Sequence, residues 1–307
     1  MKIFKPHSEQ IALLRSRGML IEDEIQARYV LENVNYYRLS GYWYPYRQKI
    51  EGSNKRRDNF IEKTSFSNTF ALYEFDQRLR TAVFNCLTPI ELALRARLGH
   101  ELGRIDPLIH LRPELLGPSA RRDGSRSQPS NKYRKWECRY NDERKKSRED
   151  FVVHHMDKYG GQIPIWAAVE IMDWGLLSHL YQLSPPPVRD SISGSMRLTA
   201  AQLGSWIKAL NMVRNYSTHH ARMFNRVYTI KPKFPPLDKV PELSSAKAAF
   251  NRCFCQLTLI QYLLAELNVG NLHLLPEVLA SFPCVSHISI SHMGVPRGWK
   301  DLVLWKY

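Results

Sequence analysis

The sequence predicts an all-α fold. Apolar residues recur at three- and four-residue steps over long stretches, strand-like alternation is scarce, and 307 residues with 44% hydrophobic and 11% aromatic content can bury a full core. The clearest run is residues 69–102, where Leu72, Phe75, Leu79, Val83, Leu87, Ile90, Leu94 and Leu98 make an apolar stripe with Asp76, Arg80, Glu91, Arg95 and Arg97 between them. Pro89 is expected to kink or divide this helix, because it removes one backbone bond and crowds the preceding turn. Helical patterns also mark residues 8–17, 21–33, 165–182, 198–227 and 244–267. Pro185-Pro186-Pro187 and Pro232-Lys233-Phe234-Pro235-Pro236 are turns inside a helical domain. Residues 1–270 form one domain, and residues 271–307, which mix His, Ser and Ile with turn residues, form a C-terminal extension packed on it with short irregular or strand-like structure.

Charge narrows the partners. With 44 Lys and Arg against 29 Asp and Glu, the net charge is +15, and an excess of this size points to a polyanion, nucleic acid first. The longest apolar stretch, residues 257–267, is broken by Thr258, Gln261 and Glu266, so no membrane span is expected. The opening residues lack a hydrophobic signal core, so a cytoplasmic protein is expected. Cys86, Cys138, Cys253, Cys255 and Cys284 are odd in number and scattered, as free thiols in a reducing compartment would be. A zinc site from Cys253, Cys255 and His273 is disfavoured by the Cys-x-Cys spacing in an apolar helix-like run.

Residues 119–150 differ from the rest, with eleven Lys and Arg against six Asp and Glu and almost no aliphatic side chains. Composition reads this stretch as a solvated basic insertion. Tyr133, Trp136 and Tyr140 interleave with basic residues, a mixture suited to stacking on bases beside phosphate contacts. The candidate RNA-binding residues are therefore Arg121, Arg122, Lys132, Arg134, Lys135, Trp136, Arg139, Lys145 and Lys146.

The chemistry concentrates in residues 203–226. At about 100° per residue, one arc of a continuous helix collects Arg214, Thr218, Asn225, Arg222, Asn215, Arg226 and His219, and the opposite arc carries Trp206, Leu210, Val213, Tyr216, Met223 and Phe224. His219 falls on the polar arc and is available for proton transfer, whereas His220 falls on the apolar arc and is expected to face the core. Solvated helical faces usually mix Lys and Glu pairs. This one carries three Arg, two Asn and one His without an acid, so it would attract an anion and could move a proton beside it.

Arg214-Asn215-x-x-x-His219 matches the Arg-x4-His motif of HEPN ribonucleases, and residues 213–226 resemble the signature of bacterial Abi-like (abortive infection, AbiD/AbiF type) proteins. The resemblance extends through Asn35-Tyr36-Tyr37-Arg38-Leu39-Ser40-Gly41-Tyr42-Trp43, Tyr73-Glu74-Phe75-Asp76-Gln77-Arg78-Leu79-Arg80, Ile90-Glu91-Leu92-Ala93-Leu94-Arg95-Ala96-Arg97, Pro164-Ile165-Trp166-Ala167-Ala168-Val169-Glu170 and Met293-Gly294-Val295-Pro296-Arg297-Gly298-Trp299. These blocks occur in the family's order over nearly the whole chain. Where the family often has Cys-Ala, this chain has Ser217-Thr218, and the Arg, Asn and His positions are intact.

The resemblance implies a HEPN-type helical bundle acting as a metal-independent endoribonuclease in phage defence, with no cofactor. Arg214, Asn215 and His219 would be catalytic: His219 as acid or base around the ribose 2′-OH and the leaving 5′-oxygen, Arg214 on the phosphorane charge, Asn215 orienting His219 or the phosphate. His220, Arg222, Asn225, Arg226, Glu170, Glu91 and Arg95 would support them, with Glu170 and Asp173 as partners for the motif arginines. One motif supplies one histidine, so a homodimer with facing motif helices is expected. The alternative is a non-catalytic defence protein that holds a structured small RNA on the same face. Asp76 with Arg80 forms a second i,i+4 pair beside Glu91 with Arg95. The aromatic cluster around Tyr42, Trp43, Tyr44 and Tyr46 suits core packing better than base stacking. His154, His155 and His179 are taken as surface or structural residues.

Overall fold

The computed structural model describes residues 3–307 except Asn54, Gly124, Arg126 and Ser127. The described residues form thirteen α-helices: α1 (His7–Ser16), α2 (Glu24–Asn33), α3 (Tyr36–Trp43), α4 (Phe66–Gly103), α5 (Asn131–Lys146), α6 (Asp150–Lys158), α7 (Ile165–Ala168), α8 (Trp174–Leu183), α9 (Pro186–Gly194), α10 (Ala200–Thr218), α11 (Ser244–Ala248), α12 (Cys253–Leu267) and α13 (Leu274–Ala280). An antiparallel hairpin, β1 (Arg47–Lys49) and β2 (Arg56–Phe60), is the one sheet among them. The predicted all-α class holds, and the hairpin is an addition that the sequence pattern did not signal.

The spine is α4, 38 residues and so about 57 Å long. The Ser65 hydroxyl accepts the Asn68 N–H at its start, and the helix runs unbroken through Pro89. Continuity survives because α4 buries residues around much of its circumference, with α3, α7, α9, α10, α12 and α13 packed along it. That burial outweighs the one backbone bond Pro89 deletes.

Three predicted helices are interrupted. The pattern over residues 165–182 divides at Met172, where the Asp173 carboxylate caps α8 by accepting the Leu176 N–H. The pattern over 244–267 splits into α11 and α12. The pattern over 198–227 ends at Thr218, with the consequences described below. The C-terminal residues form α13 and three 3₁₀ turns, with α13 against α4 and a lone bridge from Val285 to Ile288 in place of strands.

The basic stretch is mainly the helix α5, not a solvated loop; Gly124, Arg126 and Ser127 lie outside the described residues. Tyr133, Trp136 and Tyr140, at i, i+3 and i+7, are each 1% exposed and hold α5 against α8. The Trp136 indole donates to the Leu176 carbonyl and its ring stacks on Tyr140. Trp136 is a core residue, and its assignment as an RNA-stacking side chain is corrected: a base cannot reach it.

Buried beneath α5 is His110, its Nε2 3.3 Å from the Tyr140 hydroxyl and its Nδ1 unpartnered. Burial, with Arg144 nearby, pushes its pKa down to about 4. The folded state holds this ring neutral while the unfolded chain protonates it near pH 6.5, so the unfolded state binds more protons as pH falls. Stability should therefore be whole above about pH 6.5 and decline by about 3 kcal/mol toward pH 4. Denaturant unfolding at a series of pH values checks this, and His110→Phe should flatten that part of the profile.

Candidate active site

The site is built where α10 stops. Thr199 and Gln202 form a reciprocal capping box at its start, and Leu203, Trp206, Ile207, Leu210 and Val213 bury its inner face. At its end His219 is the C-cap and His220 takes left-handed backbone, φ 53°. The Ala221 N–H then reaches back 2.9 Å to the Tyr216 carbonyl, the six-to-one bond of a Schellman turn. Ser217 and Thr218 hydroxyls donate to the Arg214 carbonyl at 2.7 and 3.0 Å. Both hydroxyls fold back on the helix's own backbone, while the Tyr216 carbonyl, one of those the helix end leaves without an intrahelical partner, is satisfied by the Ala221 N–H.

This turn exposes the motif. His219 is exposed and its ring has no hydrogen bond to any described residue; Asn215, one turn earlier, is exposed as well. Arg214 is half-buried, and its Nε is buried without a partner. No acid among the described residues forms an ion pair with Arg214. The three side chains are therefore free to engage an anion.

The turn also corrects the helical projection. Arg222, Asn225 and Arg226 do not share a helical face with Arg214, because the chain leaves the helix before them. His220 does not face the core but is exposed, since the left-handed residue swings it outward. Its carbonyl accepts from Arg38 at 2.5 Å. Arg222 lies over Gly41, where a Cβ would stand 3.0 Å from its Nε, and donates to the Phe224 carbonyl. Arg226 donates to the Arg222 carbonyl and sits 4.1 Å above the Tyr216 ring, while Asn225 accepts from Arg252. These residues shape the turn.

The turn is pinned from below by Asp76. Its carboxylate accepts the Phe224 N–H at 2.7 Å, the Met223 N–H at 3.2 Å, the Tyr42 hydroxyl at 2.6 Å and the Arg80 guanidinium at 2.5 Å, all out of water. Burial pushes the Asp76 carboxyl upward, against Arg80 and the other three donors, which favour the ionised form. Burial and Asp76 push the Tyr42 hydroxyl well up, which keeps it a donor. The Asp76–Arg80 pair was legible in the sequence, but its grip on Met223 and Phe224 was not, because 147 positions separate partners that only folding joins.

The partners proposed for the motif arginines are engaged elsewhere. Glu91 pairs with Arg95, and Arg95 donates to the Glu170 carbonyl at 2.9 Å, so these three tie α4 to the turn before α8. Asp173 caps α8 and pairs with Arg139 at 3.2 Å. Neither Glu170 nor Asp173 forms an ion pair with Arg214.

The sequence matches the profile of the family described as Abi-like protein over residues 29–225. The chain belongs to the Abi-like protein family. The matched span opens on α2 and closes at Asn225, so it takes in α3, Asp76 and the whole motif turn. Membership in this family suggests a part in abortive infection. No curated protein and no solved structure matched the chain.

The exposed basic residues lie on α5, which packs on α8, and on the segment before it. Lys132, Lys135, Arg139 and Lys146 fall within about 60° of one another on α5, at about 100° per residue, and all four are exposed. Arg121, Arg122, Lys132 and Arg134 line a cleft of about 710 Å³ at the start of α5. Lys145 is also exposed. No group of three or more His, Cys, Asp or Glu among the described residues could hold a metal ion, and no described helix is long and apolar enough to cross a membrane.

Proposed function

We propose that this Abi-like protein is a metal-independent endoribonuclease of anti-phage defence, with Arg214, Asn215 and His219 as its catalytic residues. The observation that carries this reading is the state of the motif: an exposed, unpaired imidazole at the end of α10, one turn from Asn215, with an Arg214 whose buried Nε has no partner. A site of this kind, whose arginine forms no ion pair with an acid among the described residues, suits a phosphodiester. His219 takes the proton from the ribose 2′-OH, or delivers one to the leaving 5′-oxygen. The 2′-oxygen bonds to phosphorus, the bond to the 5′-oxygen breaks, and the products end in a 2′,3′-cyclic phosphate and a 5′-OH. Arg214 stabilises the added negative charge on the phosphorane. Asn215 orients His219 or the phosphate.

Acid and base are more easily supplied by two imidazoles than by one, so the active form is a homodimer with two motif helices facing across a two-fold axis. The exposed basic face of α5 favours a second reading, a protein that holds a structured small RNA without cutting it.

The test is incubation of purified protein with single-stranded RNA in EDTA, with product ends analysed and the mass of the RNA-bound protein measured by light scattering. Cleavage to 2′,3′-cyclic ends by a dimer is expected, with DNA of the same sequence spared. Tight binding without cleavage would overturn the enzyme reading and leave the second. Cleavage by a protein that stays monomeric on RNA would remove the dimer.

A further inference from the structure

Beside the motif, α8 and α10 flank an open cavity of about 360 Å³. That size lies within the range of small-ligand pockets, about 300–1,000 Å³. Lys208, Asn211 and Asn215 follow one another at i, i+3 and i+7 along the α10 wall, and the next turn ends at His219, about 6 Å farther along the axis. Asn215 therefore belongs both to the motif and to the cavity, so whatever fills the cavity lies next to the atoms at which the motif acts.

The lining has the chemistry of a nucleotide. Asn211 on one wall and Gln182 on the other carry amides, each with donors and an acceptor, which pair with the edges of nucleobases. Met212 and Ile230 supply apolar surface for the flat face of a base. Lys208 places an ammonium at the end away from His219, where the backbone of a strand would continue, and the lining holds no acid. His179 completes the rim; partial burial and nearby Arg139 hold its pKa below the ordinary imidazole value, so it presents a neutral donor and acceptor.

We propose that this cavity is a base-reading subsite: it takes the nucleobase next to the bond that is cut, with Asn211 and Gln182 on the base edge and Lys208 on the adjoining phosphate. The proposal rests on the ribonuclease reading for its role but not for its binding chemistry. It gives the enzyme a base preference beside the cut, set by Asn211 on α10 and Gln182 on α8 and not by Arg214 or His219.

The deciding experiment titrates the full-length His219→Ala protein with AMP, CMP, GMP and UMP by calorimetry or NMR. One nucleotide should bind about tenfold or more tightly than the weakest, and Asn211→Leu or Gln182→Leu should erase that preference, in line with about 1–3 kcal/mol for a bidentate base contact. The two variants lie on opposite walls, so misfolding of one leaves the other to decide. Equal affinity for all four nucleotides, or a preference unchanged in both variants, overturns the subsite. If the wild-type protein cuts no RNA yet keeps an Asn211-dependent nucleotide preference, the subsite stands and the ribonuclease reading falls.

Discussion

His219→Ala should lower the rate of RNA cleavage by about 10²–10⁴-fold, the range for loss of a general acid or base, while RNA affinity changes little. The ring is exposed and forms no hydrogen bond to a described residue, so its removal takes nothing from the packing. Surface changes of this sort usually stay within about 0.5 kcal/mol of wild-type stability. Lost cleavage with an unchanged melting curve would therefore report on chemistry. Expression in cells gives the parallel readout, in which the variant should lose any toxicity of the wild type. Charge reversal at Arg134, Lys135 and Arg139 should do the opposite, weakening RNA binding and its salt dependence through the exposed face of α5. A His219→Ala protein with full activity, set against inactive charge-reversal variants, would refute the catalytic assignment.

Asp76→Ala should cost about 3–5 kcal/mol of stability, the range for removing one partner of a buried ion pair. The variant leaves Arg80, 3% exposed, as an unpaired buried charge and strands the Met223 and Phe224 N–H groups and the Tyr42 hydroxyl. Adding Arg80→Ala should recover the part due to the unpaired guanidinium. The two amides would remain orphaned, at about 1–3 kcal/mol each, so recovery should be incomplete. Denaturant unfolding of both variants measures the difference, and Asp76→Ala within about 1 kcal/mol of wild type would show that the turn needs no anchor. Any folded variant should also show weaker cleavage, because the chain that closes the motif turn is the one Asp76 holds.

How much of this was legible in the sequence depended on the range over which each feature is encoded. The spine α4 was legible because its apolar positions repeat at the helical period for nearly forty residues. Residues 119–150 carry almost no aliphatic side chains, so composition hides the helix, yet Tyr133, Trp136 and Tyr140 stand at i, i+3 and i+7, which is itself a helical signal. Asp173 before an apolar run was an available cap signal for the break at Met172. The end of α10 had weaker notice, since left-handed backbone at a C-cap is usually glycine and here is His220.

The sequence alone determined the helical class, the basic character, the family blocks and the identity of Arg214, Asn215 and His219, because composition, period and short motifs are local properties of the chain. Tertiary structure decided which of those residues are free. A left-handed residue turned His220 outward and took Arg222 and Arg226 off the helical face. Packing against α8 turned Trp136 from a base-stacking candidate into core. A carboxylate on α4 became the anchor of a turn far away in sequence. Each outcome hangs on contacts between distant segments, and such contacts exist only once the apolar faces of the helices have been buried against one another.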